Sequence, residues 1–247
     1  MTNFIIAILL AFLISLFSLI GMVTLSIKDK ILRKILLMLV GLSAGGLIGG
    51  AFFHLLPEAL ESELKPLTIF AITIGGFLLF FLLEKFLFWR HCHKGKCDVH
   101  TFTYLNLIGD SVHNFIDGLI IVAAFSVDIR LGLVTTLAIA LHEIPQEIGD
   151  FGVLVYGGFS KVKALIYNFF AALMVVAGVI VGYLIGETIQ LSVPFLLSFA
   201  AGGFIYIAAT DLIPEIRLEK KLGKSLLSFG VFLLGVLLMF GFKLFFD

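Results

Sequence analysis

Charge is scarce in this 247-residue sequence. Asp, Glu, Lys and Arg make up 14% of it, and 17 basic residues against 17 acidic ones leave no formal net charge. That balance offers no electrostatic case for any partner, and a nucleic-acid partner is not expected. Cysteine is scarcer: Cys92 and Cys97 are the only two, and neither falls in an apolar run, which excludes a closed thiolate metal site inside such a run. Apolar residues are abundant instead, at 60% with a mean hydropathy of +1.15, which places the chain outside the soluble globular range.

A helix needs about 20 apolar residues to cross a bilayer, and eight runs meet that length, roughly 4–27, 35–56, 67–89, 100–124, 131–156, 164–186, 192–213 and 225–246. The expectation is an all-α polytopic membrane protein of eight transmembrane helices, a single transmembrane domain over 1–247 with little chain left for anything soluble. The first run lacks a basic lead and exceeds the apolar core of a signal peptide, so it is read as a span. Thirteen of the 17 Lys and Arg fall in the loops after spans one, three, five and seven, which by the positive-inside rule puts both termini outside the cytosol. A multi-pass protein of the cell membrane is the expected setting.

Residues 44–58, AGGLIGGAFFHLLPE, align without a gap to 201–215, AGGFIYIAATDLIPE, at an offset of 157. The two copies lie five spans apart and therefore run in opposite directions, as in the inverted repeats of secondary transporters. The grouping that follows is three spans, a central pair and three more. Gly41, Gly45, Gly46, Gly49 and Gly50 also supply small faces for close helix contact.

The central pair carries the least expected residues. In span four, NLIGDSVHNFIDGLI, the residues Asn106, Asp110, His113, Asn114 and Asp117 are spaced by three and four and share one helical face. In span five, LHEIPQEIGDF, His142 and Gln146 are four apart, as are Glu143 and Glu147, with Asp150 one turn on. Three acids facing lipid would cost on the order of 8–10 kcal/mol, about what the span's apolar residues recover. The stripe must therefore meet polar surroundings, and span four offers them. Facing acids repel unless they are protonated or bridged by a cation, and the added imidazoles favour a transition metal over Mg or Ca. Pro145 removes a backbone donor at this point, and irregular helix at membrane depth is tolerated where it lines a cavity.

HNFIDG in span four and HEIPQEIGDF in span five resemble the signature spans of the ZIP (Zrt-, Irt-like protein) divalent metal transporters, above all the subfamily with a HEIPHE-type fifth span. HLLPEA and GGFIYIAATDLIPE resemble that family too, so the likeness covers the whole chain. It implies metal ligands at His113, Asn114 and Asp117 from span four and at His142, Glu143, Gln146 and Glu147 from span five. Gln146 departs from the pattern: many relatives have His or Glu there, and an amide offers at best a carbonyl oxygen. The resemblance also implies a homodimer and alternating access. Its cargo is chiefly Zn²⁺, with Fe²⁺, Mn²⁺ or Cd²⁺ in some members, moved to the cytosol. The metal is cargo, and no cofactor or enzymatic activity is expected.

Other polar positions extend a route. His54 and Glu58 end span two near the outer face, Asp110 and Asp150 lie inward of centre, and Asp211 and Glu215 end span seven on the cytosolic side. Asn168 in span six suits either an interhelical hydrogen bond or this route, and Glu84 is expected to snorkel or pair with Lys85 or Arg90. The loop HCHKGKCDVH holds His91, Cys92, His93 and Cys97, a solvated connector or a transient cytosolic metal acceptor. Two rival readings are a metal-selective channel and an intramembrane zinc protease. The protease motif H-E-x-x-H fails at Gln146 and is interrupted by Pro145.

Overall fold

The computed structural model describes residues 2–22, 29–91, 99–186 and 189–246. Among them every regular element is helical, as a chain must be when lipid supplies no partners for backbone N–H and C=O groups. In order these are α1 (Thr2–Ser15) with a 3-10 extension (Leu16–Gly21), α2 (Asp29–Gly50), a π turn (Ala51–Leu55), α3 (Leu56–Leu60), α4 (Pro66–His91), α5 (Thr101–Val127) and α6 (Ile129–Tyr156). There follow α7 (Lys161–Ala172), α8 (Met174–Ile185), α9 (Ile189–Tyr206), a second π turn (Ile207–Leu212), α10 (Ile213–Arg217) and α11 (Leu222–Phe246).

Seven stretches among the described residues are long and apolar enough to cross a bilayer: Thr2–Gly21, Ile35–Leu60, Pro66–Phe86, Thr101–Val127, Lys161–Ile185, Val193–Arg217 and Leu222–Phe245. The chain is an all-helical polytopic membrane protein. The expected fifth span is the one outside this set. Helix α6 is 28 residues long, but His142, Glu143, Gln146, Glu147 and Asp150 lower the hydropathy of its second half. It runs through Pro145 as continuous helix. Of the expected first span, residues 23–27 lie outside the described residues.

Helices α5 and α6 are antiparallel neighbours joined through Asp128. Its extended backbone ends α5, and its carboxylate accepts from the Arg130 and Leu131 amides at 2.7 and 2.9 Å, capping α6. Helix α6 also lies against α2, so tightly that a Cβ on Gly149 would stand 2.8 Å from Ser43 Cα. This pair, α5 and α6, sits among α2, α8 and α9, while α4 and α11 expose broad apolar faces, with Leu67, Phe70 and Leu82 on one and Leu226, Leu237 and Leu244 on the other.

The sequence repeat has a counterpart in packing. Helix α2 packs on α11 and α9 packs on α4. Gly45 and Gly202, 157 apart, sit at the two crossings, where an added Cβ would come 2.1 Å from the Phe232 carbonyl oxygen and 2.0 Å from that of Thr73. Each segment then widens into its π turn and resumes α-helix with a proline in the first turn, Pro57 in α3 and Pro214 in α10. Proline lacks an N–H and its ring crowds the carbonyl four residues back, so the ordinary ladder cannot close and the preceding turn opens. Glu84 accepts a hydrogen bond from the Tyr206 hydroxyl of α9, a partner that reading along its own helix toward Lys85 and Arg90 does not reach.

Candidate metal site

The spacing of the polar stripes decides which atoms meet. His113 and Asp117, four apart, point from one face of α5, and His142 and Glu143 come from the facing α6. One ligand atom from each of the four lies within 4.8 Å of all the others. His113 Nε2 is 3.3 Å from Glu143 Oε1 and 3.6 Å from Asp117 Oδ2. His142 Nε2 is 3.3 Å from Asp117 Oδ2 and 3.7 Å from Glu143 Oε1. Two imidazoles thus alternate with two carboxylates around one point.

Hydrogen bonding does not account for this convergence. The His142–Asp117 contact has hydrogen-bond geometry. Both Glu143 carboxylate oxygens and both His113 ring nitrogens are buried with no hydrogen-bond partner among the described residues, and Glu143 is only 1% exposed. A buried carboxylate without donors costs several kcal/mol, roughly, unless a cation compensates it. Mixed imidazole and carboxylate donors suit a first-row divalent ion.

A cavity of about 280 Å³ reaches the group; His54, Glu58, His113, Asp117, His142 and Lys243 supply its ionisable lining. His54 donates from Nε2 to the Met239 carbonyl at 2.8 Å, and its ring centre lies 5.5 Å from that of His142. The imidazole and the acid assigned from the sequence to the outer part of the route, His54 and Glu58, therefore share one cavity with three of the four converging side chains.

One turn along each helix, the remaining candidates form a second layer. Asn114 donates to Asp110 Oδ1 at 3.0 Å and Gln146 donates to the same oxygen at 3.4 Å. Asn168 of α7 donates to Glu147 Oε2 at 2.5 Å, and Ser43 of α2 donates to Asp150 Oδ1 at 2.9 Å. Of the seven residues that the resemblance made ligands, four converge, and Asn114, Gln146 and Glu147 lie in this second layer. Gln146 acts there as a donor. Some acceptor capacity stays open, at Asp110 Oδ2, Asn114 Oδ1, Glu147 Oε1, Asp150 Oδ2 and Asn168 Oδ1.

Asp211 and Glu215 stand apart from both layers. Glu215 accepts from the Tyr156 hydroxyl at 2.7 Å, where α6 ends, and Glu215 and Tyr156 line a separate cavity of about 550 Å³ with Lys220, Lys221 and Lys224. Asp211 sits in the second π turn with Oδ2 unpartnered. Cys92, His93 and Cys97 lie outside the described residues, and of His91 only the backbone is described. Reading along the chain missed Ser43; its one signal is its place in the small-residue run GLSAGGLIGG, which marks α2 as a helix that others approach closely.

Comparison with known proteins gives a consistent picture. A family model described as ZIP Zinc transporter matches residues 2–101 and 90–243. Zinc transporter ZIP13 of Pongo abelii is 34% identical over 223 residues, covering 85% of this chain and 67% of that protein. Zinc transporter zipt-7.1 of Caenorhabditis briggsae is 31% identical over 240 residues, covering 72% of this chain and 61% of that protein. Zinc transporter ZIP10 of Danio rerio is 39% identical over 117 residues, 47% of this chain and 14% of that protein.

Proposed function

Because this chain belongs to the ZIP zinc transporter family, we propose that it carries divalent transition metal ions, zinc foremost, across the membrane into the cytosol, through a site between α5 and α6. The observation that carries this reading is Glu143, a buried carboxylate with neither oxygen hydrogen-bonded, facing two imidazoles and a second carboxylate. The first ligands are His113, Asp117, His142 and Glu143. Asn114, Gln146 and Glu147, with Asp110, Asp150 and Asn168, form the next station inward, and Asp211 and Glu215 the release side.

Eight spans in a 3+2+3 arrangement, with α6 as the fifth, belong to the same proposal. The matched crossings at Gly45 and Gly202 and the matched π turns support an inverted repeat. Alternating access is favoured over a continuous pore, because the cavity beside His54 reaches three of the four ligands, His113, Asp117 and His142, while the next layer is tied by the Gln146–Asp110 and Ser43–Asp150 bonds. Against a proteolytic role stands Gln146, which replaces the second histidine that H-E-x-x-H requires and donates to Asp110. The protein acts as a homodimer in the cell membrane with both termini extracytosolic; native mass measurement and the accessibility of terminal tags check these two points.

Uptake into proteoliposomes tests the central reading, with Zn²⁺ compared against Fe²⁺, Mn²⁺ and Cd²⁺. Asp117→Ala and Glu143→Ala should each abolish saturable flux. Unchanged flux in both would remove the assigned site.

A further inference from the structure

The cavity that leads to the four ligands contains one basic residue with no role in holding a cation. Lys243 lies in the last turn of α11 and lines this cavity with His54, Glu58, His113, Asp117 and His142. An ammonium in the vestibule of a cation site opposes its purpose on simple Coulomb grounds, and its placement is set by packing. His54 is bonded to the carbonyl of Met239, 185 residues on. Glu58 and Lys243 stand at the same separation of 185 and line one cavity. Lys243 acts electrostatically on both His54 and Glu58, and Glu58 in turn senses Asp117 of the ligand group.

On the strength of this juxtaposition, and resting on the transport reading above, we propose that Lys243 governs ion capture in the outer vestibule: a tethered cation in the field of Glu58 that sets the concentration at which a free divalent ion enters. A dication interacts with Glu58 twice as strongly as a monovalent ion at equal distance. The same factor of two applies to repulsion by the ammonium, so the lysine weighs most on capture of the divalent ion. It contacts the arriving ion before the ligands do, so its effect falls on capture and leaves turnover at the ligands unchanged.

The test is initial-rate Zn²⁺ uptake by the full chain in proteoliposomes, as a function of Zn²⁺ and of added KCl. Lys243→Gln should lower the apparent KM by about three- to tenfold at low ionic strength with kcat little changed, an advantage that shrinks as salt screens the vestibule. Lys243→Arg, which keeps the charge, should retain the wild-type KM; a purely structural role would be disturbed by both replacements and would be insensitive to salt. Equal KM for wild type and Lys243→Gln at low salt overturns the proposal, as does Lys243→Arg behaving like Lys243→Gln. Should Lys243→Gln fail to accumulate, Glu58→Gln probes the pair from the other side: KM should rise and its salt dependence flatten, and an unchanged KM is equally decisive against the proposal. Absence of saturable uptake in the wild type itself refutes the transport reading instead, so the two failures are distinguishable.

Discussion

Two adjacent layers of the same helix pair use the same residue types in opposite ways. In the layer of His113, Asp117, His142 and Glu143, atoms converge, and neither Glu143 oxygen has a hydrogen-bond partner among the described residues. One turn along, Asp110, Glu147 and Asp150 each have one oxygen held by an amide or hydroxyl, from Asn114 and Gln146, from Asn168 and from Ser43. The first layer also opens to a cavity, whereas its neighbour is covered by α2 and α7. Buried carboxylates alone therefore do not define an ion site; the first layer differs in that its carboxylates face imidazoles around one point, while those of the second are tied to amides and a hydroxyl. An ion moving from the first layer to the second must displace bonds that the second already makes.

The comparison breaks most severely at Glu143. Replacing it by Gln supplies an N–H donor and removes the charge, making the first layer resemble the second, and Zn²⁺ uptake should fall more than about 100-fold, beyond the 10–100-fold typical of residues that only orient ligands. Binding measured by titration calorimetry on the purified protein should weaken in parallel.

Gln146→His sharpens the contrast from the other side. It exchanges a donor to Asp110 for an imidazole ligand, so the second layer should hold the ion more tightly. The expected result is a lower KM with kcat reduced about tenfold, since each 1.4 kcal/mol of retention slows release by that factor. A kinetic profile equal to wild type would mean that the side chain at 146 does not meet the ion.

Gly149→Ala acts on the crossing that encloses the second layer. Its Cβ would lie 2.8 Å from Ser43 Cα, so α2 and α6 must separate. Overpacking of this kind costs about 1–3 kcal/mol, which thermal unfolding in detergent would register as a lowered midpoint. Ser43→Ala removes a single bond to Asp150 and leaves the crossing intact. Its cost should be about 0.6 kcal/mol, the average for interhelical hydrogen bonds in membranes, with uptake changed by no more than about threefold.

Much of this arrangement is legible along the chain, because membrane helices advertise their length by hydropathy and their polar faces by spacing. The stripes of α5 and α6 were readable from i, i+4 positions, and the matched Gly45 and Gly202 from the offset of 157. Spacing does not report which partner a side chain finds across helices. Gln146 reads as a weakened ligand in the sequence, yet its amide is turned to Asp110; Glu84 reads as paired with a nearby base, yet its partner is Tyr206, 122 residues away. Helix α6, expected as the fifth span, falls outside the apolar set, since the residues that give it its polar face are those that lower its hydropathy.

The π turns at Ala51–Leu55 and Ile207–Leu212 have a further consequence. An α-helix turns about 100° per residue, and a wide turn accommodates one residue more, so each acts as a phase shifter. Everything after it is re-aimed by about that angle relative to the helix before it. Glu58 and Glu215 therefore face directions that the 3.6-residue rhythm of α2 and α9 would not assign them. The angular position of both ends of the route is set by one surplus residue in each half of the chain.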